Sequence, residues 1–320
     1  SLFLVKIVHI NYNSTMRIIK FVLIFLIFLI IFTGSVAAYT YYKLPKIDSE
    51  LSILILGTGG EGHTAPDLTD TIMQVVLNNE GKRTSILSLP RDIWIPEIRA
   101  KLNTAYHYGG FKMAGDSVTS ITGLPISYTV VIDFSLFKDL IDSIGGINIQ
   151  VENSFIDEKY PIAGLENDLC GGDRLYKCRY EILDIKSGEQ NMNGELALKF
   201  VRSRNSESDE GTDIAREKRQ QKVIEAIKEK LFSKDVIFKP SVLRKLYDVT
   251  TSHIETDIDK NNAISIVKFL FESRNNIKFL SIPEEMLQIS QNDKKYDRQY
   301  VFIPKSGSWK ELQEWIKDSL

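Results

Sequence analysis

Residues 51–89 read LSILILGTGGEGHTAPDLTDTIMQVVLNNEGKRTSILSL, and they contain three short apolar runs separated by turn-forming residues. The runs are Leu51–Leu56, Thr71–Leu77 and Thr84–Leu89, and each has the length and the aliphatic or β-branched content of a buried strand. Asn79-Glu80-Gly81-Lys82 between the last two is typical of a hairpin connection. The stretch therefore predicts three strands of a sheet, with a glycine-rich loop after the first.

Strands and helices alternate along the rest of the chain. Further strands are predicted at Ser127–Phe134, Ile147–Val151, Lys278–Ile282 and Tyr300–Ile303. Amphipathic periodicity predicts helices at Ser135–Ile144, Ile214–Leu231, Ser241–Val249, Lys260–Phe271 and from Trp309 onward. No repeat or internal linker interrupts this order, so we expect one α/β domain with a mixed sheet over residues 51–320, after a polar linker at residues 43–50.

Charge is distributed unevenly between the N-terminus and the rest of the chain. The protein has 40 Lys and Arg and 42 Asp and Glu, but residues 1–42 hold only Lys6, Arg17 and Lys20 and no acid. Residues 43–320 therefore carry 37 bases and 42 acids, a net charge of −5. An acidic body argues against sequence-independent binding of nucleic acid.

Residues 21–42 contain no charged side chain and begin FVLIFLIFLIIFTGSVAA. Twenty-two helical residues would span roughly 33 Å, enough to cross a bilayer core. Because the basic residues precede this run, we expect a cytoplasmic segment at residues 1–20 and a single-pass anchor in the cell membrane, with residues 43–320 outside. A cleaved signal peptide is the alternative, since Ser35–Ala38 resembles a cleavage site, but the apolar and aromatic residues continue through Tyr42.

The chain has two cysteines, Cys170 and Cys178, and both fall in the part predicted to lie outside the cell. Their spacing in a stretch rich in Gly and Asp suits a short disulfide-closed loop in an oxidising compartment. A metal site would need more ligands nearby, and none of the four His residues is close in sequence.

Two phosphate-binding motifs nearly fit the glycine-rich loop. Gly57–Gly62 matches G-x-G-x-x-G after a strand, and the same residues approach a P-loop, except that His63 stands in the place of the essential lysine. Both motifs require a helix immediately afterwards, whereas residues 63–67 lead into another predicted strand. The loop is therefore interpreted as a glycine-rich turn or as the border of an anion site.

Arginines cluster in two later motifs. Arg202 and Arg204 lie two residues apart in a segment that reads as extended, which would turn both guanidinium groups to one side. Asp213 is a candidate N-cap of the long helix, and Arg216 and Arg219 share a face near its positive end. Bidentate donors beside a helix N-terminus suit a diphosphate. The alternative for each arginine taken singly is a surface ion pair, and the alternative for Asp213 is a helix cap without any role in binding.

Carboxylates and basic groups also flank the first strands. Asp70 lies at the entry of the second strand, and Arg91 and Asp92 follow the third. Lys101 and Asn103 precede a Gly-Gly pair further along. A carboxylate such as Asp70 can hold Mg²⁺ together with phosphate oxygens, whereas Asp92 can simply pair with Arg91.

Taken together, these motifs resemble the LytR-CpsA-Psr family. The resemblance is carried by GTGGEGHTAPDLTDTIMQVVLNNEGKRTSILSLPRDIWIP, KLNTAYHYGG, VIDFSLFKDLIDSIGGINIQVE, GELALKFVRSRN and TDIAREKRQQKVIEAIKEK, in that order. It implies an α-β-α sandwich and transfer of a glycan phosphate from a polyprenyl-pyrophosphate carrier to a peptidoglycan hydroxyl, assisted by Mg²⁺. It further implies a metal-associated and catalytic role for Asp70, a catalytic role for Arg91, and pyrophosphate binding by Arg91, Arg202, Arg204, Arg216, Arg219 and Gln220. Asp92 is a second catalytic candidate, and Lys101, Asn103 and Asp213 are supporting residues.

Two positions depart from the family pattern. An aspartate usual after the first strand is Gly59 here, and an arginine usual before the second aspartate is Leu68. The missing carboxylate weakens the expectation of Mg²⁺, for which His63 or Asp67 is a hypothetical substitute. A non-catalytic binder of polyprenyl phosphate and a lipid pyrophosphate hydrolase therefore remain as alternatives to the transferase.

Overall fold

The computed structural model describes Lys43, Lys46, Ile47 and residues 50–320. The predicted anchor at residues 21–42 lies outside this described part, in which no helix has the length and apolar character needed to cross a membrane. Of two compact units, one consists of residues 47–259 and 267–320, and it holds the central sheet.

The strands follow the chain in short segments. They are β1 (Glu50–Thr58), β2 (Thr69–Asn78), β3 (Arg83–Ser88), β4 (Trp94–Ile95), β5 (Ala100–Lys101), β6 (Tyr128–Asp133), β7 (Ile147–Val151), β8 (Phe155–Pro161), β9 (Tyr180–Ile185), β10 (Gly188–Met192), β11 (Glu255–Thr256), β12 (Ile277–Ser281), β13 (Leu287–Ser290) and β14 (Val301–Pro304). Six of them form a sheet in the order β11-β6-β1-β2-β3-β12. The pairs β1–β6 and β3–β12 are parallel and the other pairs antiparallel, so the prediction of an α/β fold with a mixed central sheet is confirmed.

The helices connect and cover these strands. They are α1 (Ala105–Thr122), α2 (Phe134–Ser143), α3 (Gly194–Arg202), α4 (Asp213–Leu231), α5 (Lys234–Ile237), α6 (Pro240–His253), α7 (Lys260–Glu272) and α8 (Lys310–Ser319). The expected cap of α4 is wrong by one residue: the Thr212 hydroxyl accepts a hydrogen bond from the Ala215 N–H, and Asp213 is the first helical residue.

One face of the sheet forms the main apolar core. Leu54 and Leu56 of β1 pack there with Ile72 and Leu87, against apolar residues of α1 and α8. Helix α1 is absent from the sequence-based prediction because the Gly109-Gly110 pair resembles a loop, and these two glycines do interrupt the helical backbone. Burial of so many aliphatic side chains provides the main stabilisation of this face.

The opposite face of the sheet looks toward a second group of helices. Helices α2, α3 and α4 and the strand pairs β7–β10 and β8–β9 bury their own cluster, in which Ile141, Phe200 and Val223 participate. Alternating residues of the central strands, Ile55 and Met73 among them, line a cavity that also touches α2, α3 and α4. This cavity contains the candidate site.

Candidate active site

The cavity has a volume of about 660 Å³ and is apolar over most of its lining. Its apolar part includes Ile55, Met73, Val75, Phe137, Ile224 and Ile227. These side chains come from both the sheet and the helices, and this part of the lining offers no side-chain hydrogen bonds to a polar ligand. An elongated apolar group is the ligand that such a lining favours.

Six of the predicted polar site residues line this same cavity. They are Asp70, Arg91, Arg202, Arg204, Arg216 and Gln220. Topology explains why they meet. The start of β2 and the ends of β1, β3 and β6 lie at one edge of the sheet, and the Gln220 amide lies 3.4 Å from the Thr71 hydroxyl, which brings the first turns of α4 to that edge.

The segment around Arg202 and Arg204 is not extended as expected. Helix α3 ends at Arg202, and Ser203 leaves the helical conformation, with φ of −56° and ψ of 135°. Both arginines reach the cavity because the buried Asp157 holds this turn: its carboxylate accepts hydrogen bonds from the Ser203 hydroxyl (2.7 Å) and from the Arg204 N–H (3.2 Å). Asp157 was missed from the sequence because an acid in a polar strand, here followed by Glu158, carries no distinguishing pattern.

The Arg202 guanidinium is held between aromatic rings. Its central carbon lies 4.1 Å from the Phe134 ring centre, and one of its nitrogens lies 3.4 Å from the Tyr160 hydroxyl. Burial raises the pKa of Tyr160 to about 12, so this hydroxyl stays neutral at physiological pH. The arginine therefore faces the cavity on a rigid, uncharged support.

A chain of ion pairs positions Arg91. Its guanidinium pairs with Asp70 and lies 3.5 Å from Asp92, and Asp92 in turn accepts a hydrogen bond of 2.6 Å from Lys101. The Asn103 N–H donates to the Arg91 carbonyl at 3.0 Å. Asp92, Lys101 and Asn103 do not line the cavity, so the structure places them behind Arg91 rather than against a ligand.

Arg219 does not line the cavity, and this placement argues against its predicted contact with pyrophosphate. Its side chain is only 3% exposed. It donates to the carbonyls of Phe200 (2.9 Å), Ser203 (2.5 Å) and Glu210 (2.7 Å) and pairs with the Glu210 carboxylate. Each nitrogen of the guanidinium has a protein partner, so Arg219 fixes the turn that carries Arg204.

His63 occupies the space next to Gly59. A Cβ atom added at Gly59 would lie 2.9 Å from the His63 ring, so a longer side chain at position 59 requires this ring to move. The ring packs edge-on against Phe134 at 5.0 Å. Burial, with the positive charge of Arg202, lowers the pKa of His63 below its ordinary value, which favours a neutral imidazole.

Oxygen donors at the cavity suit a hard cation. Asp70 and Asp133 both line it, and one Asp133 oxygen accepts from the Leu136 N–H at 2.7 Å as the cap of α2. Mg²⁺ takes one or two carboxylates together with phosphate oxygens, so these residues fit that ion. Asp133 was not predicted, because a helix cap and a ligand are indistinguishable in sequence.

The cysteines form a disulfide, Cys170–Cys178, in the loop between β8 and β9. Their sulfur atoms lie close to Asp168, which gives the group the composition of a metal site. Because both sulfurs are bonded to each other, neither is available as a thiolate ligand.

A family comparison accounts for this combination of fold and site. The sequence profile described as the LytR_cpsA_psr family matches residues 35–318. This chain belongs to the LytR_cpsA_psr family. The resemblance inferred from the motifs is therefore confirmed.

Relatives of this LytR_cpsA_psr protein include two curated transferases. It is 27% identical over 260 residues to the polyisoprenyl-teichoic acid--peptidoglycan teichoic acid transferase TagV of Bacillus subtilis, covering 79% of this chain and 60% of TagV. It is 28% identical over 213 residues to TagU of Enterococcus faecalis, a transferase of the same description, covering 65% and 61%. The chain thus spans about three fifths of each relative. The crystal structure of B. subtilis TagV shares the fold, with a TM-score of 0.61, 24% identity, and coverage of 85% of this chain and 97% of that one.

Proposed function

We propose that this protein is a phosphotransferase that moves a glycan phosphate from a polyprenyl-pyrophosphate carrier to a peptidoglycan hydroxyl. The observation that carries the proposal is one cavity with an aliphatic interior and four arginines in its lining. A polyprenyl chain needs the aliphatic interior, and a diphosphate needs the arginines. The names of the two transferase relatives support the same reaction class.

Binding would divide between the two kinds of lining. Arg91, Arg202, Arg204 and Arg216 would hold the diphosphate, and Gln220 would add a neutral donor. Guanidinium groups suit this role because each can give two parallel hydrogen bonds to phosphate oxygens. The apolar tail would displace water from the aliphatic interior.

The metal assignment is part of the proposal. Asp70 would hold Mg²⁺ beside the diphosphate, with Asp133 as the second carboxylate on the lining. When bound, the ion would neutralise charge on the phosphate oxygens. Asp70 is already paired with Arg91, which would orient its carboxylate.

The reaction is a displacement at phosphorus. A hydroxyl oxygen of peptidoglycan attacks the glycan-linked phosphorus, and the bond from that phosphorus to the bridging oxygen breaks. Polyprenyl phosphate leaves, and the hydroxyl proton is released. The chain's contribution is positioning and charge neutralisation by arginine, which dominates phosphoryl-transfer catalysis in general.

The proposal includes a location. Residues 21–42 would anchor the protein as a single-pass segment in the cell membrane, with the catalytic domain, a three-layer α-β-α sandwich, outside. There the domain would meet both the lipid carrier in the membrane and the peptidoglycan acceptor.

A non-catalytic lipid-phosphate binder is the second candidate, and one observation favours it. The His63 ring lies over Gly59, where the family pattern has a carboxylate. Incubating the full chain with a lipid-linked glycan, peptidoglycan fragments and Mg²⁺ distinguishes the two. A phosphoglycan-modified acceptor supports the transferase, whereas tight lipid binding without transfer supports the binder.

A further inference from the structure

The loop between β8 and β9, together with the first residues of β9, exposes an unusual density of large apolar side chains. Leu169 is 73% exposed, Leu175 69% and Ile182 71%, and Tyr176 and Tyr180 are about two-fifths exposed. Isolated apolar residues on a surface need no explanation, but five within residues 169–182 form a patch, here called the loop patch.

The disulfide draws most of the loop patch together. Cys170 and Cys178 close a ring with Cα atoms 5.5 Å apart, Leu175 and Tyr176 belong to the ring, and Leu169 adjoins it. Tyr180, two residues after Cys178, lines the candidate active site. The loop patch is therefore continuous with the wall of the cavity.

Polar groups of the ring bond largely within the ring. The Asp173 carboxylate accepts from the N–H groups of Leu175 (3.0 Å) and Lys177 (3.2 Å), and the Tyr176 N–H donates to the Asp173 carbonyl at 3.0 Å. The backbone of Leu175 and Tyr176 thus needs few bonds from water. Such a loop can enter an apolar medium without the large cost of unpaired backbone groups.

Basic side chains flank the apolar ones. Between the two cysteines lie two exposed basic residues, Arg174 and Lys177, on either side of Leu175 and Tyr176, and one acid, Asp173, so the ring has an excess of positive charge. The Arg179 guanidinium stacks on the Tyr176 ring at 4.0 Å. Aliphatic and aromatic tips bordered by Lys and Arg are typical of segments that lie in a bilayer interface. Arg174 and Lys177 would face anionic phosphate groups there.

We propose that the loop patch docks into the interface of an anionic phospholipid bilayer and places the cavity next to the membrane-embedded lipid carrier. This contact is additional to the anchor predicted at residues 21–42. The proposed bilayer contact depends on the loop patch and not on the reaction, whereas the delivery of the carrier rests on the proposed function.

Fluorescence quenching of the full chain in lipid nanodiscs tests the docking. Leu175→Trp is compared with Ile289→Trp, another exposed position, 54% accessible and on β13, in nanodiscs containing phosphatidylglycerol with brominated acyl chains. We expect Leu175→Trp emission to fall at least twofold beyond the quenching of the unsubstituted chain, and Ile289→Trp emission to be unaffected. The proposal would be overturned by equal quenching of both variants or by quenching of neither. It would also be overturned if, in detergent, shielding of the indole introduced by Leu175→Trp increased with protein concentration, because that would indicate self-association.

Turnover separates the docking from the proposed function. Leu175→Asp is expected to slow transfer about tenfold from a long-chain donor in the bilayer, since one buried leucine contributes roughly a tenfold factor to partitioning. Transfer from a short, water-soluble donor should be unchanged. Equal slowing with both donors would contradict the docking, whereas absence of transfer in the unsubstituted chain would contradict the proposed function and leave the quenching result standing.

Discussion

Replacing Arg219 by methionine tests the distinction between an arginine that holds the site together and one that faces the ligand. The substitution keeps the apolar stem and removes a guanidinium that is 3% exposed. It would leave the carbonyls of Phe200 and Ser203 without their donors and the Glu210 carboxylate without its ion pair. Losing one partner of a buried ion pair costs about 3–5 kcal/mol, and unpaired carbonyls act in the same direction.

The effect is large enough to measure by thermal unfolding of the full chain in detergent. A loss of about 3–5 kcal/mol corresponds to a fall in Tm of roughly 6–20 °C for a domain of this size. Arg204→Met is the matched control, because Arg204 is exposed and lines the cavity. We expect it to change the free energy of unfolding by less than about 0.5 kcal/mol.

Binding of a soluble isoprenyl pyrophosphate should be weakened more by Arg204→Met than by Arg219→Met. Isothermal titration calorimetry at a temperature where both variants are folded should give a Kd about 10-fold or more higher for Arg204→Met, as expected for loss of a charged hydrogen bond. An Arg219→Met protein with an unchanged Tm and abolished binding would refute the assignment of Arg219 to the turn.

Three further substitutions probe the cavity, the missing carboxylate and the ion-pair chain. Ile224→Trp fills part of the apolar lining and should weaken binding of a long polyprenyl pyrophosphate at least about 10-fold, while inorganic pyrophosphate binds as before; equal loss of both would contradict the separation of tail and diphosphate. Gly59→Asp should fold poorly because its Cβ meets the His63 ring. Adding His63→Ala should restore the Tm, and the double variant should bind Mg²⁺ more tightly than the unsubstituted chain. Titration calorimetry that shows no gain in Mg²⁺ affinity would argue against a metal site beside position 59. Lys101→Met leaves Asp92 to pair with Arg91 alone and should raise the Kd for pyrophosphate severalfold, whereas an unchanged Kd would show that this chain does not orient Arg91.

Apolar runs and amphipathic periodicity predicted most of the sheet and the long helices because they reflect burial directly. The helix Ala105–Thr122 was missed, since Gly109 and Gly110 give it a weak helical pattern and also break its backbone. Arg202 was placed in extended chain because the β-branched Val201 and the polar residues around it resemble a strand end, whereas tertiary packing of Phe200 makes this segment helical.

The family motifs located the arginines, but the sequence did not show which of them reach a ligand. Arg216 and Arg219 share one motif, yet Arg216 lines the cavity and Arg219 is bonded to the turn after α3. Asp157 was missed because its role depends on groups distant in sequence, such as the Ser203 hydroxyl. Spacing within one segment gives no information about such long-range partners.

The most direct test of the central claim is mass spectrometry of the acceptor after incubation with the full chain. The reaction would contain a polyprenyl-pyrophosphate-linked glycan, peptidoglycan fragments and Mg²⁺, with Arg202→Ala as the control, because Arg202 lines the cavity on an aromatic support. We expect a phosphoglycan attached to the peptidoglycan fragment, strongly reduced in the control. An unmodified acceptor at every Mg²⁺ concentration, with the lipid tightly bound, would contradict the central claim.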